Sequence, residues 1–121
     1  MSWDKPSNDL LDYLEDELIG YHCEKRKMFG CPVFFVNGNM FCGVFEATIF
    51  IRVSQSDRDH LLELDDEIVQ FEPIAGQKMR EYIILNDSFI HDRPFFNEWL
   101  NKSYEFVLAM PAKKPKPKKN K

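Results

Sequence analysis

A chain of 121 residues with 44% apolar content, 11 Phe and 2 Trp among it, suffices for one domain with an aromatic-rich core and falls short of two. Its net charge of −4 is a split figure: residues 113–121 hold six Lys and no acid, so a body of −10 precedes a tail of +6. This pattern excludes a wholly disordered chain and a body that holds phosphate backbones by bulk charge, and no apolar run approaches the length of a bilayer span. The start, Met1-Ser2-Trp3-Asp4-Lys5-Pro6, lacks the basic and apolar regions of a signal peptide, which points to the cytoplasm. Cys23, Cys31 and Cys42 fit that compartment, because an odd number of cysteines without a CxxC pair reads as reduced thiols.

The first helix is expected from about Asn8 to Tyr21, with Ser7 as N-cap and Asp9 and Asp12 where the helix dipole favours acids. Leu10, Leu11, Leu14, Leu18 and Tyr21 recur at helical spacing as one apolar stripe. Gly20 and the polar run Glu24-Lys25-Arg26 read as the end of this segment. Phe29-Gly30 then turns the chain into a hairpin whose two strands flank Asn37-Gly38, the strongest short signal for a type I′ turn. A two-residue loop there pairs Val36 with Asn39, Val33 with Cys42 and Cys31 with Val44. One face of the hairpin then carries Cys31, Val33, Phe35, Met40, Cys42 and Val44, and the other Pro32, Phe34, Val36, Phe41 and Phe45. Both faces are apolar, which predicts a hairpin covered on both sides.

Glu46-Ala47 leads into a third strand, Thr48 to Val53. A short helix is predicted from Ser56, capped by that hydroxyl with Asp59 three residues on, and Leu61, Leu62 and Leu64 supply its apolar side. Ile68 to Phe71 reads as a fourth strand ended by Pro73, and Met79 to Leu85 as a fifth after the Ala75-Gly76-Gln77 turn. The last helix starts at Pro94, buries Phe96, Trp99, Leu100, Ser103, Phe106, Val107 and Met110, and stops at Pro111. Residues 1–111 thus form the domain, and the Lys/Pro sequence of 112–121 is a solvated, disordered tail. The expected fold is α+β, ordered α-β-β-β-α-β-β-α, with an antiparallel five-stranded sheet and helices in two layers.

The wording of these elements resembles one family. Met28-Phe29-Gly30, Val36-Asn37-Gly38-Asn39-Met40 with Cys42-Gly43-Val44, Ile51-Arg52-Val53, Gly76-Gln77-Lys78-Met79-Arg80-Glu81-Tyr82-Ile83 and Glu98-Trp99-Leu100 are similar, in that order, to the TfoX N-terminal domain family of TfoX/Sxy-type competence regulators. The closing Phe106-Val107-Leu108-Ala109-Met110-Pro111 before a Lys/Pro tail resembles its stand-alone members, without the second, helical domain of the named regulators. The resemblance implies a secretion-chaperone-like α+β fold and a bacterial cytosolic protein without known catalytic residues. The named members regulate competence genes together with a transcription activator. Cys31, where Gly is usual, and Arg80-Glu81, where Lys-Gly is common, depart from the pattern.

Weighed singly, the chemistry-bearing residues favour structure over catalysis. In the register above Cys31 and Cys42 are diagonal neighbours at the edge of disulfide or metal reach, yet a buried thiol between apolar faces usually packs as a small hydrophobe. His22-Cys23 is adjacent in sequence at a helix end, where neighbouring side chains diverge. His60 and His91 have no ligand-spaced partners, Asp65-Asp66-Glu67 reads as a solvated turn, and the glycines match no phosphate-loop spacing. No catalytic, metal or cofactor residue is assigned. Arg52 and Arg80 are candidate contacts for a partner's carboxylate or a phosphate, against the alternative of an internal pair with Glu72 or Glu81. Lys113, Lys114, Lys116, Lys118, Lys119 and Lys121 are candidate non-specific nucleic-acid contacts, with Lys25, Arg26 and Lys27 steering the backbone; the tail's other readings are an acidic protein surface and solubility, the usual role of a charge run. The sequence therefore predicts a non-enzymatic regulatory domain with an unidentified protein partner, a homodimer among the candidates. The alternatives are a nucleic-acid-associated protein using the tail and a thiol-dependent or small-molecule enzyme.

Overall fold

The computed structural model describes residues 8–28, 30–74 and 76–111, except the side chains of 8, 73, 74 and 77–80. Its elements are α1 (Asn8–Glu17), β1 (Glu24–Met28), β2 (Cys31–Val36), β3 (Asn39–Phe45), β4 (Thr48–Arg52), α2 (Gln55–Leu64), β5 (Val69–Ile74), β6 (Gln77–Leu85), α3 (Asp87–Ile90) and α4 (Arg93–Leu108). The strands form one antiparallel sheet in the order β1-β2-β3-β4-β6-β5. The class is α+β as the sequence predicts, but with six strands rather than five. The added strand is the run Glu24-Lys25-Arg26-Lys27-Met28, expected to close α1: every residue in it is exposed, so no apolar alternation betrays it. It is stable as a strand because it is the sheet edge, where only one row of backbone groups needs a partner.

Among the described residues, α1, α2, α3 and α4 all pack on one face. There Leu10, Leu14 and Leu18 of the α1 segment meet Phe34, Val36, Phe41, Cys42, Val44, Ile49 and Ile51 of the sheet, Leu61 of α2, Ile90 of α3, and Phe96, Trp99, Leu100 and Val107 of α4. The α4 stripe is as predicted, with Phe106 and Met110 only partly buried. Polar ties fix the helices: Tyr13 donates to the Ile90 carbonyl at 2.7 Å, Arg93 pairs with Glu17 at 2.7 Å, and the fully buried Ser103 hydroxyl donates to the Arg52 carbonyl. Asn39, buried beside the hairpin turn, donates to the Pro111 carbonyl at 3.0 Å and ties the end of the α4 segment to β3.

The hairpin turn is as expected: Asn37 and Gly38 both have positive φ, 53° and 82°, and Val36 pairs with Asn39. The predicted register fails beyond it. A bulge shifts the ladder, so Val33 pairs with Gly43 and Cys42 with Phe34. One extra residue on β3 turns Cys42 and Val44 to the helix side with Phe34 and Val36, away from Val33, Phe35 and Met40. Cys31, on the Val33 side by alternation along β2, and Cys42 are therefore on opposite faces and not diagonal neighbours.

Other boundaries move for local reasons. The cap of α2 is Ser54, whose hydroxyl accepts from the Asp57 amide at 3.2 Å, two residues before the predicted Ser56. Helix α1 ends at Glu17 instead of Tyr21, and the predicted cap Ser7 lies outside the described residues. Strand β5 starts at Val69 and runs past Pro73 to Ile74, tolerated because β5 is the other sheet edge and is bulged there. Asp92 caps α4 with Pro94 in its first turn, and the single-turn α3 was not foreseen.

Candidate functional site

The face opposite the helices carries a second apolar cluster, built among the described residues from strands alone: Val33, Met40, Phe50, Phe71 and Tyr82, edged by the half-buried Phe35, Phe45 and Ile84. Strand alternation creates it. Ile49, Ile51 and Val53 point to the helices, which leaves Phe50 and Arg52 for the other side. The rings of Phe50 and Phe71 stack in parallel, 4.2 Å apart and 9° from coplanar, and Phe45 and Tyr82 meet Phe71 edge-on. Gly43 makes this possible. A Cβ there would fall 2.8 Å from the Phe50 ring, the Pro32 carbonyl oxygen and the Val33 side chain.

Arg52 ends this cluster on β4. Its Nε donates to Glu81 Oε1 at 2.8 Å, its Nη2 lies 2.7 Å from the same oxygen, and its Nη1 reaches the Met40 carbonyl at 3.4 Å. The guanidinium also lies 5.3 Å from the ring of Tyr82, its neighbour across the β4–β6 ladder. The Tyr82 hydroxyl donates to the same Met40 carbonyl at 3.3 Å, next to the bulge. Arg52 thus has the internal acid weighed for it, Glu81 and not Glu72. The pair is unequally wet, the Arg side chain 17% exposed and the Glu 43%. Arg80 falls in β6, with its side chain outside the described residues, as are all six tail lysines. The sequence reading missed Tyr82 and the Met40 carbonyl: Tyr82 reaches Arg52 through the β4–β6 pairing and Met40 lies beside the bulge, and no local pattern announces either.

At the far side of this face lies β1. Lys25 pairs with Glu15 of α1 at 2.8 Å, and Arg26 pairs with Glu24 at 3.2 Å while covering Phe35 at 4.7 Å from the ring centre. Among the described residues Lys27 has no acid within pairing distance.

Burial shifts titratable groups on and near the sheet. Burial pushes Tyr82 up to about 12 against the partial opposition of Arg52, so its hydroxyl is a neutral donor at physiological pH. Burial raises all three thiols, Cys42 most strongly and Cys31 with help from the Glu46 charge, which lowers their thiolate content. His22 is exposed and donates its backbone N–H to Tyr104, whereas Cys23 packs into the helix-side core. His91 pairs with Asp87 at 3.1 Å, and the His60 ring lies 6.0 Å from the Trp99 ring. The Asp65–Glu67 segment is a turn, closed by Asp65 accepting from the Glu67 amide at 2.8 Å. Among the described residues no three His, Cys, Asp or Glu converge as a metal would need, and no helix is long and apolar enough to cross a membrane.

No curated protein matches the chain. The sequence model of the TfoX N-terminal domain matches residues 17–107. That span runs from the last residue of α1 to the last turn of α4 and contains the whole sheet, the bulge, Arg52 and Tyr82. The chain belongs to the TfoX N-terminal domain family.

Proposed function

We propose that this chain is a non-enzymatic regulatory domain of the bacterial cytoplasm that acts by protein–protein contact, in the manner of competence regulators. The observation that carries the reading is the one-sided packing of the helices. Among the described residues all four crowd one face and leave, on the other, an aromatic cluster with half-buried Phe35, Phe45 and Ile84 at its margin and Arg26 and Arg52 beside it. The centre of the cluster is buried, so the surface on offer is its half-exposed margin of Phe35, Phe45 and Ile84 beside Arg26, and aromatic and Arg groups are enriched in partner-binding surfaces. Arg52, held by Glu81 and the Met40 carbonyl, is a contact a partner could reach only by displacing those groups, and Arg80 is proposed as a second contact from its place in β6 alone.

The test is affinity capture from native lysate, with and without nuclease, comparing the full chain with residues 1–112. Docking through the folded body requires a protein partner retained by both after nuclease. Nucleic acid retained only by the full chain would instead assign the function to the six tail lysines, a reading supported by the +6 charge of residues 113–121.

A further inference from the structure

The two sheet edges differ in a way that selects a partner. Strand β5 is a poor template: its ladder with β6 shifts between Gln70 and Phe71 and again before Ile74, and Pro73 brings no N–H. Strand β1 is regular over its whole length, pairing Glu24 with Phe35 through Met28 with Cys31 without a shift, and among the described residues no strand pairs with its outer edge. Its side chains are sorted by alternation. Lys25 and Lys27 point to the helix side, where Lys25 already meets Glu15, and Arg26 points to the aromatic side, over Phe35.

A second copy of β1 is the wrong occupant. Antiparallel self-pairing centred on Arg26 would set Arg26 against Arg26 and Lys25 against Lys27, and like charges opposite each other destabilise a strand pair. A strand with carboxylates at alternate positions is the right one. Residues two apart on a strand project on the same side roughly 6.8 Å apart, so an acid-x-acid segment meets Lys25 and Lys27 together. The intervening residue falls beside Arg26 and the half-buried Phe35. Lys27, without an acid of its own among the described residues, has its charge to offer.

We propose that β1 is a strand-addition site for an extended acidic segment of a protein partner, held by main-chain pairing along the edge and by Lys25, Arg26 and Lys27 across it. This rests on the protein-docking reading above and names the chemistry of the partner.

The probe is a capped, dye-labelled peptide Thr-Glu-Val-Glu-Val-Glu-Thr, titrated with the full chain by fluorescence anisotropy. Binding is expected to weaken by about tenfold or more in Lys25→Gln/Lys27→Gln, and to weaken as salt rises from about 50 to 500 mM. A Gln-for-Glu peptide should bind no better than that variant binds the probe. Two peptides N-methylated at alternate residues separate strand addition from plain charge attraction. Only the one whose methyl groups face away from β1 should bind, and it should slow hydrogen exchange of the β1 amides. Equal binding of both methylated peptides, binding undiminished in the double variant, or no binding at millimolar peptide overturns the proposal. The lysate capture distinguishes the two levels: a protein partner held equally by wild type and variant removes β1 from the contact, whereas no protein partner at all removes the docking reading itself.

Discussion

Replacing Gly43 by Ala is the sharpest test of how this sheet is built. The φ of Gly43 is not positive, so the strand itself would accept alanine and only space forbids it. The new methyl group would meet three groups at 2.8 Å, about 0.6 Å inside the 3.4 Å at which ordinary contact begins. One of them, the Pro32 carbonyl, is main chain of β2, held by ladders to β1 and β3, so it cannot retreat without stretching both. The Phe50 ring cannot swing freely either, because Phe71 is stacked on it. Overpacking of this kind costs about 3 kcal/mol, the upper end of its usual range. Loss of glycine's freedom in the unfolded chain returns roughly 0.7 kcal/mol, for a net loss of about 2. In a domain of this size that lowers Tm by roughly 8–10 °C. Thermal and urea unfolding followed by circular dichroism reads it directly. Gly20→Ala is the control, since nothing lies within 4 Å of its added Cβ; it should leave stability unchanged or raise it by up to about 1 kcal/mol. If Gly43→Ala unfolds within about 0.5 kcal/mol of wild type, the close approach of Phe50 to the β3 backbone is not how this face is packed.

Ser54→Ala should cost about 1 kcal/mol through the lost cap of α2, while Ser56→Ala changes little; equal effects in urea unfolding would contradict Ser54 as the cap. Tyr82 gives a pH signature. Its unfolded phenol ionises near 10 and its folded one near 12, so its contribution is complete below 10 and is lost as pH rises from 10 to 12. The stability gap between wild type and Tyr82→Phe should therefore shift by about 2–3 kcal/mol across that window, and a flat gap refutes the burial of the phenol. With every thiol raised by burial, alkylation of the native protein at pH 7 should be slower than of the urea-unfolded chain, and slowest at Cys42. A fast-reacting native cysteine would favour the thiol-enzyme alternative.

Much of the fold was legible because its signals are local. Asn37-Gly38 dictates a two-residue turn whatever surrounds it, and the α4 stripe of Phe96, Trp99, Leu100, Ser103 and Val107 repeats at helical spacing. The errors come from features without a local signature. Strand β1 has no apolar residue before Met28, because an edge strand can leave its side chains in water. The bulge moves Cys42 from one face to the other through a single inserted residue, and period-two reasoning carries such a slip through every position beyond it. Ser54 and Ser56 both stand before a helical run, and only the chain direction leaving β4 decides between them. The Arg52 site lay half within reach. An Arg amid Ile, Phe and Val asks for an acid, but which acid, and the convergence of Tyr82 on the Met40 carbonyl, are set by strand order and the bulge together.

The basic residues of this chain divide by what already holds them. Arg52 has Glu81 at 2.7 Å, the Met40 carbonyl and the Tyr82 ring. A ligand recruiting it would have to replace those contacts, so Arg52 acts best by stiffening the bulged end of the aromatic face. The β1 side chains are cheaper to engage. Lys25–Glu15 and Arg26–Glu24 are exposed pairs, each worth on the order of 1 kcal/mol or less, and Lys27 has none among the described residues. Lysines on an edge strand ordinarily serve to keep other strands off. The same charges that repel a neutral or basic strand favour an acidic one, so an edge guarded against aggregation is also an edge with a chosen partner. That is why the sequence shows these residues plainly and still conceals their use: Glu24-Lys25-Arg26-Lys27 gains its meaning only once it is known to be the regular, outermost strand of the sheet, next to Phe35.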